Sequence, residues 1–478
     1  MARDRATRVT EDEMHGHGEN ETRPTAPKRR PAATLLGIGL VAALAAGACI
    51  GESGTSASTG GGGSKEIPQL VVSLSVAPES ERVDLAVPTF SHPTNVTNPL
   101  FPVSRQESVL LLGRVDGKAF RTEVTLLADT RIIEWQGQQV ETLVSQYVAY
   151  LDERIHEVAY DFYAQADDGS VWYFGEDVFN FRDGAIVDTH GTWIAGKDGP
   201  AAMIMPADPK VGDVYRPENI PGFVFEEVTV TSVDQTLDGP LSPIDGGFVI
   251  EELHMDGSTE DKSFAPGYGE FYTAGGGDVE ALALAVPTDV LSGPPPAELV
   301  ILEANATAIF DAARSPNWTA ASATVERMAA AWDRYRAGEV PKMIEPRMTR
   351  ALGGLAEAVD ARDTAEARRA AIDVARWGLD LQLRYRPPAQ IDLDRFDLWL
   401  AQLQIDAASR DAAAVNGDFF TLDCIRDRIL HTLDGADITR LNTQLEELAS
   451  AVGDEDLPAA TDAAARLRDT LGGFEPAS

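Results

Sequence analysis

The sequence predicts an α+β protein: a curved antiparallel β-sheet or half-barrel domain followed by a separate all-α helical-hairpin bundle. From about residue 67 to 287, runs rich in β-branched and aromatic residues alternate with turn signals. After that, apolar residues recur every three or four positions, the period of one helix face. Pro294-Pro295-Pro296 separates the two regimes, because proline continues neither a helix nor a ladder. The expected organisation is a leader, export signal and Gly/Ser tether over 1–64, the β domain over 65–290 and the bundle over 296–478.

The leader reads as an export signal. Lys28-Arg29-Arg30 precedes an apolar run, and the Gly/Ser-rich stretch after it ends in Gly60-Gly61-Gly62-Gly63-Ser64. Leu44-Ala45-Ala46-Gly47-Ala48-Cys49 resembles a bacterial lipobox, although Ala46 stands where leucine is preferred. Lipidation at Cys49 would then tie the mature chain to the membrane. Ala46-Gly47-Ala48 also suits ordinary signal cleavage, and residues 33–50 approach the length of an uncleaved spanning helix. In the first and last cases the protein is extracytoplasmic and held at the cell membrane.

In the β region, strands are expected at 108–112, 120–127, 141–150, 171–174, 224–233 and 248–253. Asp116-Gly117, Asp168-Gly169, Asp183-Gly184 and Asp256-Gly257 punctuate them. Asp-Gly accepts the positive φ angles of tight hairpins, so antiparallel neighbours follow. In the helical region, Val325, Met328, Trp332 and Tyr335 mark one apolar face, and Ile438, Leu441, Leu445, Leu448 and Val452 another. Three helical pairs turn at Arg362-Asp363, Arg410-Asp411 and Asp454-Glu455-Asp456, with Asp363, Asp411 and Glu455 or Asp456 placed to cap the second helix. This weak repeat is compatible with either a bundle or a solenoid.

Net charge is −36, and the part after residue 30 is more negative still. Such a surface repels phosphate backbones, so nucleic acid is not an expected partner. If Cys49 is lipidated, Cys424 has no intrachain partner, and its helical context marks it as a small buried hydrophobe.

Catalytic signatures are not found: there is no phosphate loop, nucleophile elbow, paired cysteine motif or His-Glu-x-x-His. Of the seven histidines, His15 and His17 lie in the leader and the other five lack ligand spacing. The chain therefore reads as a non-enzymatic binding protein without a cofactor. Trp135, Trp172, Phe174 and Trp193 are the candidate ligand-binding residues, because aromatics on a concave sheet face suit an apolar ligand. Asp373 and Asp380, two turns apart on one helix, are the candidate metal ligands of an alternative reading in which the bundle handles divalent cations. Arg376, Trp377, Arg384, Tyr385 and Arg386 form a basic-aromatic strip, expected to pair with the Asp-rich helix after Pro388, with an anion or glycan contact as the alternative. The expected partners are the membrane, through the lipid or anchor, and an apolar ligand or another envelope protein.

Several phrases resemble a family of uncharacterised exported bacterial proteins. They are Asn98-Pro99-Leu100-Phe101-Pro102, Tyr163-Ala164-Gln165 leading to Val171-Trp172-Tyr173-Phe174-Gly175-Glu176, Met205-Pro206-Ala207-Asp208-Pro209, and Phe264-Ala265-Pro266-Gly267-Tyr268-Gly269-Glu270. The likeness implies export and a curved sheet similar to the half-barrels of lipoprotein carriers. It implies no activity.

Overall fold

A computed structural model describes residues 74–312 and 317–474. Cys49, the expected lipidation site, lies outside the described residues. All of the described residues belong to one compact unit. The β region forms a 14-stranded antiparallel sheet that is not closed, and eight helices follow it among the described residues.

The first five strands are long: β1 (Ser108–Val115), β2 (Lys118–Trp135), β3 (Gln138–Leu151), β4 (Arg154–Gln165) and β5 (Val171–Arg182). Then come β6 (Ala185–Asp188), β7 (Trp193–Ile194), β8 (Ala202–Met205), β9 (Val214–Ile220), β10 (Val224–Asp238), β11 (Pro243–His254), β12 (Thr259–Ala265), β13 (Gly269–Gly275) and β14 (Asp278–Val286). Spatial order runs β6-β5-β4-β3-β2-β1-β14-β13-β12-β11-β10-β9, with β7 and β8 also pairing with β5. Nearly every neighbour in space is a neighbour in sequence, as short hairpins require. Asp116-Gly117 and Asp183-Gly184 have both residues at positive φ, the tight-turn geometry their sequence predicts. Asp152-Glu153 makes the same kind of turn without glycine, and no composition signal marks it.

β1 shows why its sequence is a continuous apolar run. Leu110 and Leu112 pack with helical residues, whereas Val109 and Leu111 point to the sheet's other side. Both faces are covered, so alternation disappears.

The helices are α1 (Ala297–Ala312), α2 (Trp318–Tyr335), α3 (Glu345–Ala361), α4 (Thr364–Gln382), α5 (Pro388–Ala408), α6 (Ala412–Ile429), α7 (Gly435–Gly453) and α8 (Leu457–Leu471). α1 packs on α2, α2 on α3, α3 on α4 and α4 back on α1. α5 to α8 close a second ring in the same order, and α4 and α5 join the two. The architecture is therefore a pair of four-helix bundles rather than a solenoid. The repeated turns share one mechanism. Arg362, Arg410 and Glu455 adopt left-handed φ, and the following Asp363, Asp411 and Asp456 accept hydrogen bonds from first-turn amides. Among the described residues no helix is long and apolar enough to cross a membrane.

Sheet and helices meet through buried charge. Arg121 and Glu123 of β2 face Asp380 of α4, Asp392 and Arg395 of α5 and Arg428 of α6. Asp380 accepts from Arg121 at 2.7 and 2.9 Å and from Arg395 at 2.7 Å. Arg428 donates to Glu123 at 2.7 Å and to Gln146 at 2.6 Å. Arg395 reaches Asp392 at 3.0 Å. Three carboxylates balance three guanidiniums, the condition under which burying them is tolerable.

Candidate functional site

On the sheet face turned away from the helices lies a cavity of about 130 Å³. It is lined from β1 round to β9, so the sheet curls until its two far regions look at each other across the space. Direct contact between β5 and β9 establishes this: the Glu176 and Glu218 carboxyls lie beside each other there although the backbone ladder does not close. Trp193 of β7 donates from Nε1 to Glu218 at 3.3 Å.

The lining is acidic and phenolic. It holds seven carboxylates, five tyrosines and one basic residue, Lys262. On β4, Glu157, Ala159, Asp161 and Tyr163 occupy alternate positions and all line the cavity. Tyr173 donates to Asp161 at 2.7 Å and stacks on Tyr163 with centroids 5.0 Å apart.

A bulge in β5 brings Tyr173 and Glu176 to the same face. Glu176 pairs with Asp161 and Tyr173 with Tyr163, so Phe174 and Gly175 together oppose Phe162. Gly175 has φ +110°, and a Cβ there would sit 2.0 Å from the carbonyl oxygen of Trp193. Only glycine fits that position.

Burial dominates the electrostatics. It pushes Glu157 up to about 8, helped by the charge of Asp161, and Glu218 up to about 8. It also pushes Asp161 and Glu270 up to about 7. Glu176 and Glu226 are held well above the usual carboxylate range, each by burial and then by the charge of a neighbouring glutamate. Glu176 Oε1, Glu218 Oε2 and the Tyr215 hydroxyl are buried without a hydrogen-bond partner.

At one end, Lys262 contacts Glu252 closely and Glu260 at 3.1 Å. His254 lies 3.4 Å from Glu226 and 3.6 Å from Glu260. Burial alone would lower His254, but the neighbouring carboxylates of Glu226 and Glu260 outweigh burial and lift it to about 10. Glu252, His254 and Glu260 can bring ligand atoms within 4.8 Å of one another. The Lys262 ammonium already supplies a positive charge there.

No protein-family model matches the chain, and no curated protein sequence is similar to it. The site must therefore be read from its own chemistry.

The sequence-predicted residues sit elsewhere. Trp135, Trp172, Phe174 and Trp193 are buried in the apolar core beside the cavity. Trp135 and Phe174 meet edge to face at 5.9 Å, and Trp172 donates to Ser170 at 2.8 Å. None of the four lines the cavity. Trp193 reaches it indirectly, through Glu218 and an edge contact with Tyr173.

Asp373 and Asp380 have different surroundings. Asp380 is fully buried between Arg121 and Arg395, whereas Asp373 is half-exposed and 3.7 Å from Arg376. Other helical carboxylates are also matched by arginine: Asp394 by Arg386 at 2.7 Å, Asp397 by Arg468 at 2.8 Å and Asp406 by Arg154 at 2.6 Å. In the basic-aromatic strip, Arg386 does reach the Asp-rich helix. Arg384 instead donates to the backbone carbonyls of Asp289 and Glu339. Cys424 is buried, and burial pushes its thiol up.

The overlooked site has a sequence signal. Glutamate is disfavoured in strands. Yet Glu157-x-Ala159-x-Asp161-x-Tyr163, Glu226-x-Val228 and Ile250-x-Glu252 place acids at alternate positions among apolar residues, on the face that is expected to be core.

Proposed function

We propose that this chain is a non-catalytic binding protein of the cell envelope whose concave β cavity takes a small organic cation. One observation carries the reading: seven carboxylates and five tyrosines surround a space containing one lysine. Tyrosine faces attract ammonium groups, and buried carboxylates gain by exchanging a proton for a fixed cation. An apolar ligand alone would leave the open oxygens of Glu176 and Glu218 unmatched.

Calorimetry on the full chain with tetramethylammonium and putrescine tests this. Saturable binding of at least one of them is expected, tightening by about tenfold between pH 6 and pH 9 as the lining loses protons. Glu176→Gln with Glu218→Gln should weaken it by at least about tenfold. The reading fails if neither cation binds, or if Ca²⁺ or Zn²⁺ binds at the cavity in preference to both.

Location belongs to the same proposal. With Cys49 lipidated, Cys49→Ala should move the protein from the detergent phase of a membrane extract to the aqueous phase. Unchanged partitioning would instead favour an uncleaved anchor.

A further inference from the structure

On the opposite face of the sheet, where it meets the helices, a second cavity of about 70 Å³ has the reverse character. Its polar lining is mainly basic: four arginines and the Tyr150 hydroxyl outnumber Glu123, Glu153 and Gln402. Arg395 and Trp399 lie one turn apart on α5, Arg376 and Trp377 are adjacent on α4, Arg347 comes from α3 and Tyr150 from β3. Ile372 and Leu398 complete an apolar wall. Tyr150 stacks on Trp399 at 5.7 Å, and the Arg376 guanidinium lies 5.6 Å from the Trp399 ring.

The carboxylates of the lining are engaged. Glu123 is held by Arg121 and Arg428, and the rim residue Glu153 lies 3.3 Å from Arg376. What is left open has hydrogens to give. The Tyr150 hydroxyl is buried and has no partner. Arg395 binds Asp380 and Asp392 through its terminal nitrogens, but its buried Nε has no partner. Arg347 donates to the carbonyl of Met343 at 2.6 Å and lies 6.0 Å from the Trp377 ring. Among the described residues no carboxylate pairs with Arg347. Burial, and then the like charges of Arg350 and Arg121, lower its proton affinity, so the positive potential there is uncompensated.

Open donors around an apolar slot call for an acceptor with an apolar body. We infer that this slot binds a small organic monocarboxylate, its carboxylate held by Arg347 and Tyr150 and its body between Trp377 and Trp399. A single uncompensated arginine suits one negative charge, and a doubly charged phosphate would be left partly unpaired in an apolar setting. The slot is independent of the cation cavity.

Calorimetry on the full chain with benzoate and isobutyrate at constant ionic strength tests it, with benzamide and inorganic phosphate as comparisons. At least one carboxylate should bind saturably with one site per chain. Arg347→Gln should weaken binding by at least about tenfold, and Tyr150→Phe by about threefold or more. Neither variant should lower the melting temperature by more than about 3 °C, because the Tyr150 hydroxyl has no bond to lose and Arg347 gives up one hydrogen bond to the Met343 carbonyl but no ion pair. Glu176→Gln with Glu218→Gln should leave carboxylate binding unchanged, which separates this site from the cation cavity. The inference is overturned if neither carboxylate saturates by about 20 mM. Equal binding of benzamide and benzoate, tighter binding of phosphate, or no effect of Arg347→Gln would overturn it as well.

Discussion

Arg428→Met should lower the free energy of unfolding by about 3–5 kcal/mol. Arg428 is buried on α6 and donates to Glu123 of β2 and to Gln146 of β3. Burial alone would raise Glu123, but Arg395, Arg121 and Arg428 together hold it well below the usual carboxylate range. Removing Arg428 leaves three carboxylates facing two guanidiniums, with the excess charge in a dry interface. Methionine fills much of the volume, so the loss reports charge rather than a cavity. Adding Glu123→Gln restores the balance and should recover more than half of the loss in urea denaturation. A loss under about 1 kcal/mol in the single variant would mean that water reaches the cluster.

The unliganded protein should be most stable near about pH 5 and should lose about 10 °C of melting temperature by pH 9. The sign follows from the cavity. Folded values of about 8 for Glu157 and Glu218 and about 7 for Asp161 and Glu270 all exceed the unfolded carboxylate value. Each such group adds stability that is complete below its unfolded pKa and is lost as pH rises through the folded one. Glu123 and Asp380 are depressed, so their contribution is present above the unfolded pKa and is lost as acid is added. The two sets bracket the optimum. Scanning calorimetry from pH 4 to pH 9 measures the profile, and a flat curve between pH 6 and pH 9 would show the cavity carboxylates to be solvated. A bound organic cation should restore part of the loss at pH 9, because it supplies the charge that the departing protons leave behind.

The strand runs, the Asp-Gly hairpins and the aspartate caps were legible because each depends on neighbours within a few positions. The change from strands to helices was legible too: β14 ends at Val286 and α1 begins at Ala297, on either side of Pro294-Pro295-Pro296. The two faces of β5 were separable as far as Trp172, Tyr173 and Phe174. Parity then breaks at Gly175, and nothing in the alternation of β5 alone shows that Glu176 turns to the side of Tyr173. The aromatic density of this region was visible, but whether a ring is core or lining depends on what the sheet curls around.

By itself the sequence determined the order of the elements, their turns and caps, and an acidic surface, all set by backbone preference, period and composition. Only the tertiary structure decided where the acids meet. Glu176 faces Glu218 because curvature brings β5 to β9. Arg428 finds Glu123 across 305 residues because the bundle lies on β2. Curvature and docking are sums over many strands and helices, so no local window contains them. The same carboxylate is a cap, an ion-pair partner or a proton-holding cavity wall according to the dielectric and the charges that the fold places around it.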